Sequence, residues 1–112
     1  MAISYTVSGS TEDGTLISED MQQSLEFGYI YVTFFTDSTK TTQIQPSSGT
    51  ITFEATETGF NWGVVDNGVI DTSVVAYDRM SFAGPIRKVK VTCLDIVGAD
   101  FYEATITRFS RW

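Results

Sequence analysis

Histidine is missing from the chain altogether, so a Ser-His or Cys-His nucleophile pair cannot be built and the usual zinc-ligand sets lose their imidazole. A glycine-rich phosphate loop and a dinucleotide fingerprint are also lacking. There is one cysteine, Cys93, and hence no internal disulfide. It lies among Val89, Val91 and Ile96, which predicts a buried thiol acting as a small hydrophobe, consistent with folding in a reducing cytoplasm. No run approaches the ~18 apolar residues that would span a membrane. Met1 to Asp20 has no basic start followed by an apolar core, so no secretion signal is expected. Bases are scarce: 7 Lys plus Arg stand against 14 Asp plus Glu, a net charge of −7 that speaks against nucleic acid or an anionic membrane as partner.

For catalysis these absences leave carboxylates. A glycoside hydrolase needs only two acids about 5 to 10 Å apart. The acids here fall mostly in turns or on strand faces expected to meet water, and the chain is expected not to be an enzyme. Asp66, Asn67 and Asp71 could offer oxygens to calcium, but they lack the ligand run of a calcium loop, and Asp66-Asn67-Gly68 already reads as a tight hairpin turn. No cofactor and no metal is expected.

What the chain has in quantity is β-forming sequence. Ser24-Leu25-Glu26-Phe27-Gly28-Tyr29-Ile30-Tyr31-Val32-Thr33-Phe34-Phe35 is rich in β-branched and aromatic residues and reads as a long strand. Both its faces are apolar: Leu25, Phe27, Tyr29, Tyr31 and Phe35 share one side, Ile30, Val32 and Phe34 the other. In a small antiparallel domain one face normally meets water, so the second face needs cover from a loop or another subunit.

Ala2 to Val7 alternates and reads as a first strand at an edge, followed by a polar turn over Ser8 to Gly14. Thr15 to Gln23 reads as a loop in which Ser18, followed by Glu19 and Asp20, could cap one helical turn. Pro46 marks an edge or break. Beyond Gly49, Ile51, Phe53 and Ala55 point one way and Thr50, Thr52, Glu54 and Thr56 the other. Val64-Val65, Val69-Ile70 and Val74 to Tyr77 are further strand material, and Phe82 a short strand before a Gly84-Pro85 bend. Ile86 to Leu94 turns Val89, Val91 and Cys93 inward; after a turn at Gly98-Ala99-Asp100, Tyr102, Ala104 and Ile106 do the same. About eight short strands separated by turn signals predict a single all-β domain over residues 1–112, an antiparallel β-sandwich of jelly-roll type.

Two groups of residues are candidates for binding. The ending Arg108-Phe109-Ser110-Arg111-Trp112 sets aromatics and cations, residue types enriched at protein interfaces, where a chain would otherwise fray. With Tyr29, Tyr31, Phe34 and Phe35, the residues Arg108, Phe109, Arg111 and Trp112 form the candidate interface. Phe60, Asn61, Trp62 and Tyr77 form a candidate sugar platform, set against the commoner role of tryptophan in sandwich cores. Charge is unevenly spread: residues 1–78 hold eleven acids and one base, Lys40, whereas residues 79–112 hold six bases and three acids. Such halves attract each other within a chain or between copies. The Arg87-Lys88-x-Lys90 cluster reads as strand-edge solvation in preference to a phosphate site.

Gly49-Thr-Ile-Thr-Phe-Glu-Ala-Thr-Glu-Thr-Gly59-Phe-Asn-Trp62, with Phe82-Ala-Gly84-Pro85-Ile-Arg-Lys-Val-Lys-Val and Gly98-Ala-Asp-Phe-Tyr-Glu-Ala, resembles small all-β virion proteins of tailed bacteriophages. In these a strand, a Gly-x-x-Trp corner and a closing strand pair after a Gly-Pro bend recur. The resemblance covers about half the chain and implies a non-enzymatic structural role, usually as a homo-oligomer and often a trimer. The partners it implies are further copies and the major capsid protein or other virion proteins; the implied location is the virion, after synthesis in the bacterial host cytoplasm. A capsid decoration (cement) protein is the expectation. A tail or fibre component is the nearest rival, and a carbohydrate-binding module the alternative from another class.

Overall fold

The computed structural model describes residues 2–23, 25, 27–73 and 80–109. Among these, eight strands follow one another: β1 (Ala2–Ser10), β2 (Gly14–Ile17), β3 (Phe27–Phe35), β4 (Ser48–Thr56), β5 (Gly63–Asp71), β6 (Met80–Ala83), β7 (Lys88–Val97) and β8 (Phe101–Phe109). They form two four-stranded antiparallel sheets, ordered β1-β8-β3-β6 and β2-β7-β4-β5. The first strand therefore pairs with the last, the second with the seventh, the third with the sixth and the fourth with the fifth. This nesting of four antiparallel pairs is the jelly roll that the strand spacing predicts.

Alternation decides what lies between the sheets. From the first sheet Val7, Ile30, Phe34, Tyr102, Ala104 and Ile106 point inward; from the second come Ile51, Phe53, Val65, Ile70, Val89, Val91 and Cys93. Met21, Ile86 and Ala99, from connecting segments, close the ends. Burying each large apolar side chain contributes about 1.5 to 3 kcal/mol, so this alternation is the principal source of stability. Cys93 is a buried free thiol, as expected, and burial pushes its pKa up to about 11.

Three local expectations give way. The turn expected from Ser8 starts later, because Ser8, Gly9 and Ser10 stay in register with Glu103, Tyr102 and Phe101. Thr15 to Ile17 is strand, not loop, in β2, and Ser18 caps no helix: its hydroxyl accepts from the Val89 amide at 2.9 Å and donates to the Glu19 carbonyl at 3.0 Å. Asp66-Asn67-Gly68 is not a hairpin turn. β5 runs through it, and the pairing slips from Thr52↔Val69 to Glu54↔Val64, leaving residues 65–68 opposite Phe53 alone. Gly68 allows this bulge, since a Cβ there would lie 2.7 Å from the carbonyl oxygens of Phe53 and Val65. The strand material read at Val74 to Tyr77 lies outside the described residues.

Candidate functional site

The outward side of the first sheet is where the two-sided strand matters. Register lines up rows running from β3 across β8 to β1: Phe27, Phe109 and Ala2; Tyr29, Thr107 and Ser4; Tyr31, Thr105 and Thr6; and Thr33, Glu103 and Ser8. The Phe27 and Phe109 rings stack at 5.9 Å between centroids, and Tyr29 tilts against Phe109 at 6.2 Å. These three are half-buried, and Tyr31 is 38% exposed. The result is an aromatic ridge along β3 and β8, bordered by the hydroxyls of Ser4, Thr6, Thr105 and Thr107; Ser4 and Thr107 join at 3.0 Å. Rings of this kind supply large, rigid contact area, and hydroxyls beside them supply hydrogen bonds, which is interface chemistry.

Tyr29, Tyr31 and Phe109 of the candidate interface meet on this ridge. Phe34 does not, because it shares the inward side with Ile30 and Val32 and is buried in the core. Phe35 lies on the outward side, yet it is buried where the chain folds back: Gln43 bridges to it and the Asp100 amide donates to its carbonyl at 3.0 Å. That turn is held by Asp37, which accepts from the hydroxyls of Thr39 and Thr41 and from the amides of Thr41 and Thr42. Those donors hold the Asp37 carboxyl well below the usual carboxylate range.

Arg108 is likewise not an interface cation. It is wholly buried, opposite Gly28 and Ile3, and its Nη2 donates to the carbonyls of Leu25 and Gly84, the latter at 2.6 Å. Burial lowers its pKa. The guanidinium ties the approach to β3 to the exit from β6. Arg111 and Trp112 lie outside the described residues.

Of the candidate sugar platform, Phe60 is 85% exposed, Asn61 is exposed, and Trp62 is half-buried, not a core tryptophan. The Lys90 ammonium sits 4.3 Å from the Trp62 ring centroid, a cation-π contact that occupies one ring face. Tyr77 lies outside the described residues. The basic cluster of β7 is engaged by its own chain: Arg87 and Lys88 reach Asp20 at 3.2 and 3.5 Å, and Lys90 reaches Trp62.

A shallow hollow of about 420 Å³ is lined by Ser48, Gly49, Thr50, Asp71, Ser73 and Asp95. Asp71 accepts from the Ser73 hydroxyl at 2.6 Å and amide at 3.0 Å, which keep its pKa low, the opposite of what a general acid requires. Among the described residues no cluster of three acids or cysteines is arranged to hold a metal ion, and no helix is long and apolar enough to cross a membrane.

The outer side of the second sheet carries apolar residues that the sequence reading did not single out. Ile17, Val64, Val69 and Leu94 are all more than half exposed. The doublets Val64-Val65 and Val69-Ile70 held the signal, since adjacent strand residues face opposite ways and only Val65 and Ile70 enter the core.

A model of the family described as "Domain of unknown function (DUF7265)" matches residues 1–109. No curated protein matches the sequence significantly. Among solved structures, a protein described under "Bacillus endospore appendages form a novel family of disulfide-linked pili" is 10% identical, with a TM-score of 0.55 over 98% of this chain and 87% of that one. A Yersinia pseudotuberculosis-derived mitogen is 10% identical, with a TM-score of 0.46 over 100% of this chain and 88% of its own. The Drosophila NLP core is 13% identical, with a TM-score of 0.39 over 93% and 96%. The likeness to the appendage protein is one of fold.

Proposed function

The chain belongs to the DUF7265 family, and from the surface of this member we propose that it is a non-enzymatic structural protein of a virion: a capsid decoration protein that self-associates and covers a shell. The observation that carries the reading is the aromatic ridge of Phe27, Tyr29, Tyr31 and Phe109 on a sheet face turned away from the core. Completing the burial of such rings against a partner yields part of the ~1.5 to 3 kcal/mol each would gain from full burial. Several acting together hold a small protein on a repeating surface. The engaged basic cluster and the low pKa of Asp71 fit a surface that binds protein and performs no chemistry. The resemblance of the Gly49 to Trp62 and Phe82 to Ala104 stretches to tailed-phage virion proteins supplies the particle.

Co-sedimentation with empty capsid shells tests the reading. The wild type is expected to pellet with shells, and Tyr31→Ser, which removes an exposed ring, is expected to weaken pelleting while thermal stability is kept. Labelling of particles at the tail would favour a tail or fibre component. Retention on polysaccharide that is lost in Trp62→Ala, with no binding to shells, would overturn the decoration reading in favour of a carbohydrate-binding module.

A further inference from the structure

Among the described residues four strands end the two sheets, and three carry features that discourage a neighbouring chain from pairing there. β2 and β6 are only four residues long, and β2 is flanked by Glu12, Asp13, Glu19 and Asp20. β5 is broken by its bulge and carries the exposed Asp71. Short edges, charges and bulges are the usual protections of an open sheet. β1 has none of them. It pairs in unbroken register over nine residues, from Ala2↔Phe109 to Ser10↔Phe101, and residues 1–11 contain neither a charge nor a proline. Among the described residues β1 pairs only with β8, so alternate residues turn their amides and carbonyls outward.

We propose that this edge is where a second copy of the chain docks, β1 against β1 and antiparallel about a two-fold axis, joining two four-stranded sheets into one of eight. The occupant follows from the edge itself. An isologous pair offers the same row of donors and acceptors from both sides, so each can satisfy the other. In a chain of net charge −7, an uncharged run is also where two copies approach with least repulsion. A foreign peptide adding to an edge is selected by pockets for its alternate side chains, whereas the outward residues here, Ala2, Ser4, Thr6 and Ser8, are small and exposed. Small hydroxyl residues facing one another across a strand pair are instead favourable partners. The pairing deepens the self-association in the proposed function and is independent of the kind of particle. It also sets both aromatic ridges on one side of a continuous sheet, with the two β8 strands three strand spacings, roughly 14 Å, apart.

Sedimentation equilibrium on the full chain tests it. The wild type is expected at twice the chain mass of 12.4 kDa. Ser4→Lys/Thr6→Lys is expected at the single mass with its melting temperature kept, because both positions are exposed. An equal mixture of that variant with Ser4→Glu/Thr6→Glu is expected to return to twice the mass. Hydrogen exchange of β1 amides is expected to slow as wild-type concentration rises, and to be independent of concentration in the lysine variant. A wild type that stays at single mass up to about 100 µM overturns the pairing. So does a trimer mass, a lysine variant that keeps the dimer, or a mixture that fails to recombine. Should the lysine variant stay dimeric while the wild type pellets with shells, the β1 contact falls and the decoration reading stands. Should the charge pair behave as expected while nothing binds shells, the decoration reading falls and the β1 contact stands.

Discussion

Arg108 shows how a single residue can be placed by its neighbours in sequence and misjudged by its type. Its charge and its position among aromatics point to an interface, but it continues the period-two series of Tyr102, Ala104 and Ile106, and that series carries it inward. Phe34 repeats the lesson through Ile30 and Val32. Hydrogen bonds to a charged group contribute about 1.5 to 3 kcal/mol, so Arg108→Met, which leaves the Leu25 and Gly84 carbonyls without this donor, is expected to destabilise the protein by about 3 kcal/mol. For a domain of this size that lowers the melting temperature by roughly 10 to 20 °C in a thermal scan. Cys93 gives a pH dependence. Its folded pKa, about 11, stands above its ordinary value of 9.0 because of burial, so the folded state holds the thiol proton more tightly than the unfolded chain. Its contribution is therefore complete below about pH 9 and is lost as pH rises toward 11. Urea denaturation across that range is expected to show falling stability, and Cys93→Ala a shallower fall, measured as the change in slope against pH.

At the scale of elements, the clean alternations of β4, β7 and β8 were legible because each has one wet face and an apolar one. β2 was not, since Gly14-Thr15-Leu16-Ile17 shows no alternation of apolar and polar residues and its acidic flanks resemble a loop. β5 misled through Asn67-Gly68, a pair that suits hairpin turns and here sits in a bulge. The ridge itself was legible as a second apolar face on β3; Phe109 was legible as an interface aromatic near the chain's end, but its contact with Phe27 and Tyr29 depends on the register of β3 on β8, which the sequence does not show. Gly49 is the most demanding position of β4. Its φ is +111°, and a Cβ would lie 2.5 Å from the Ile96 Cα and 2.6 Å from the Asp95 carbonyl oxygen, backbone that cannot swing aside. Gly49→Ala is expected to cost about 2 to 4 kcal/mol in chemical denaturation, where an open strand glycine such as Gly63 would tolerate the change.

On the scale of the whole molecule, the uneven charge joins the halves only modestly. The Asp20 pairs with Arg87 and Lys88 are solvent-exposed, and water screens such pairs so that they contribute little. Among the described residues the bases of the C-terminal part are all engaged by their own chain, Lys90 by Trp62 and Arg108 by the Leu25 and Gly84 carbonyls, so the ridge and not the charge is what this surface offers a partner.

The nesting of strand pairs also dictates a schedule. Bringing β1 to β8 from an extended coil closes a loop of nearly the whole chain, whereas β4 and β5 are neighbours in sequence, and closure entropy grows with loop length. Refolding is thus expected to proceed from the innermost pair outward, on the slow, millisecond-to-second scale of non-local β topologies. Pulse-labelled hydrogen exchange during refolding would find amides of β4 protected before those of β1, leaving the outermost strand the last to be claimed by its own chain.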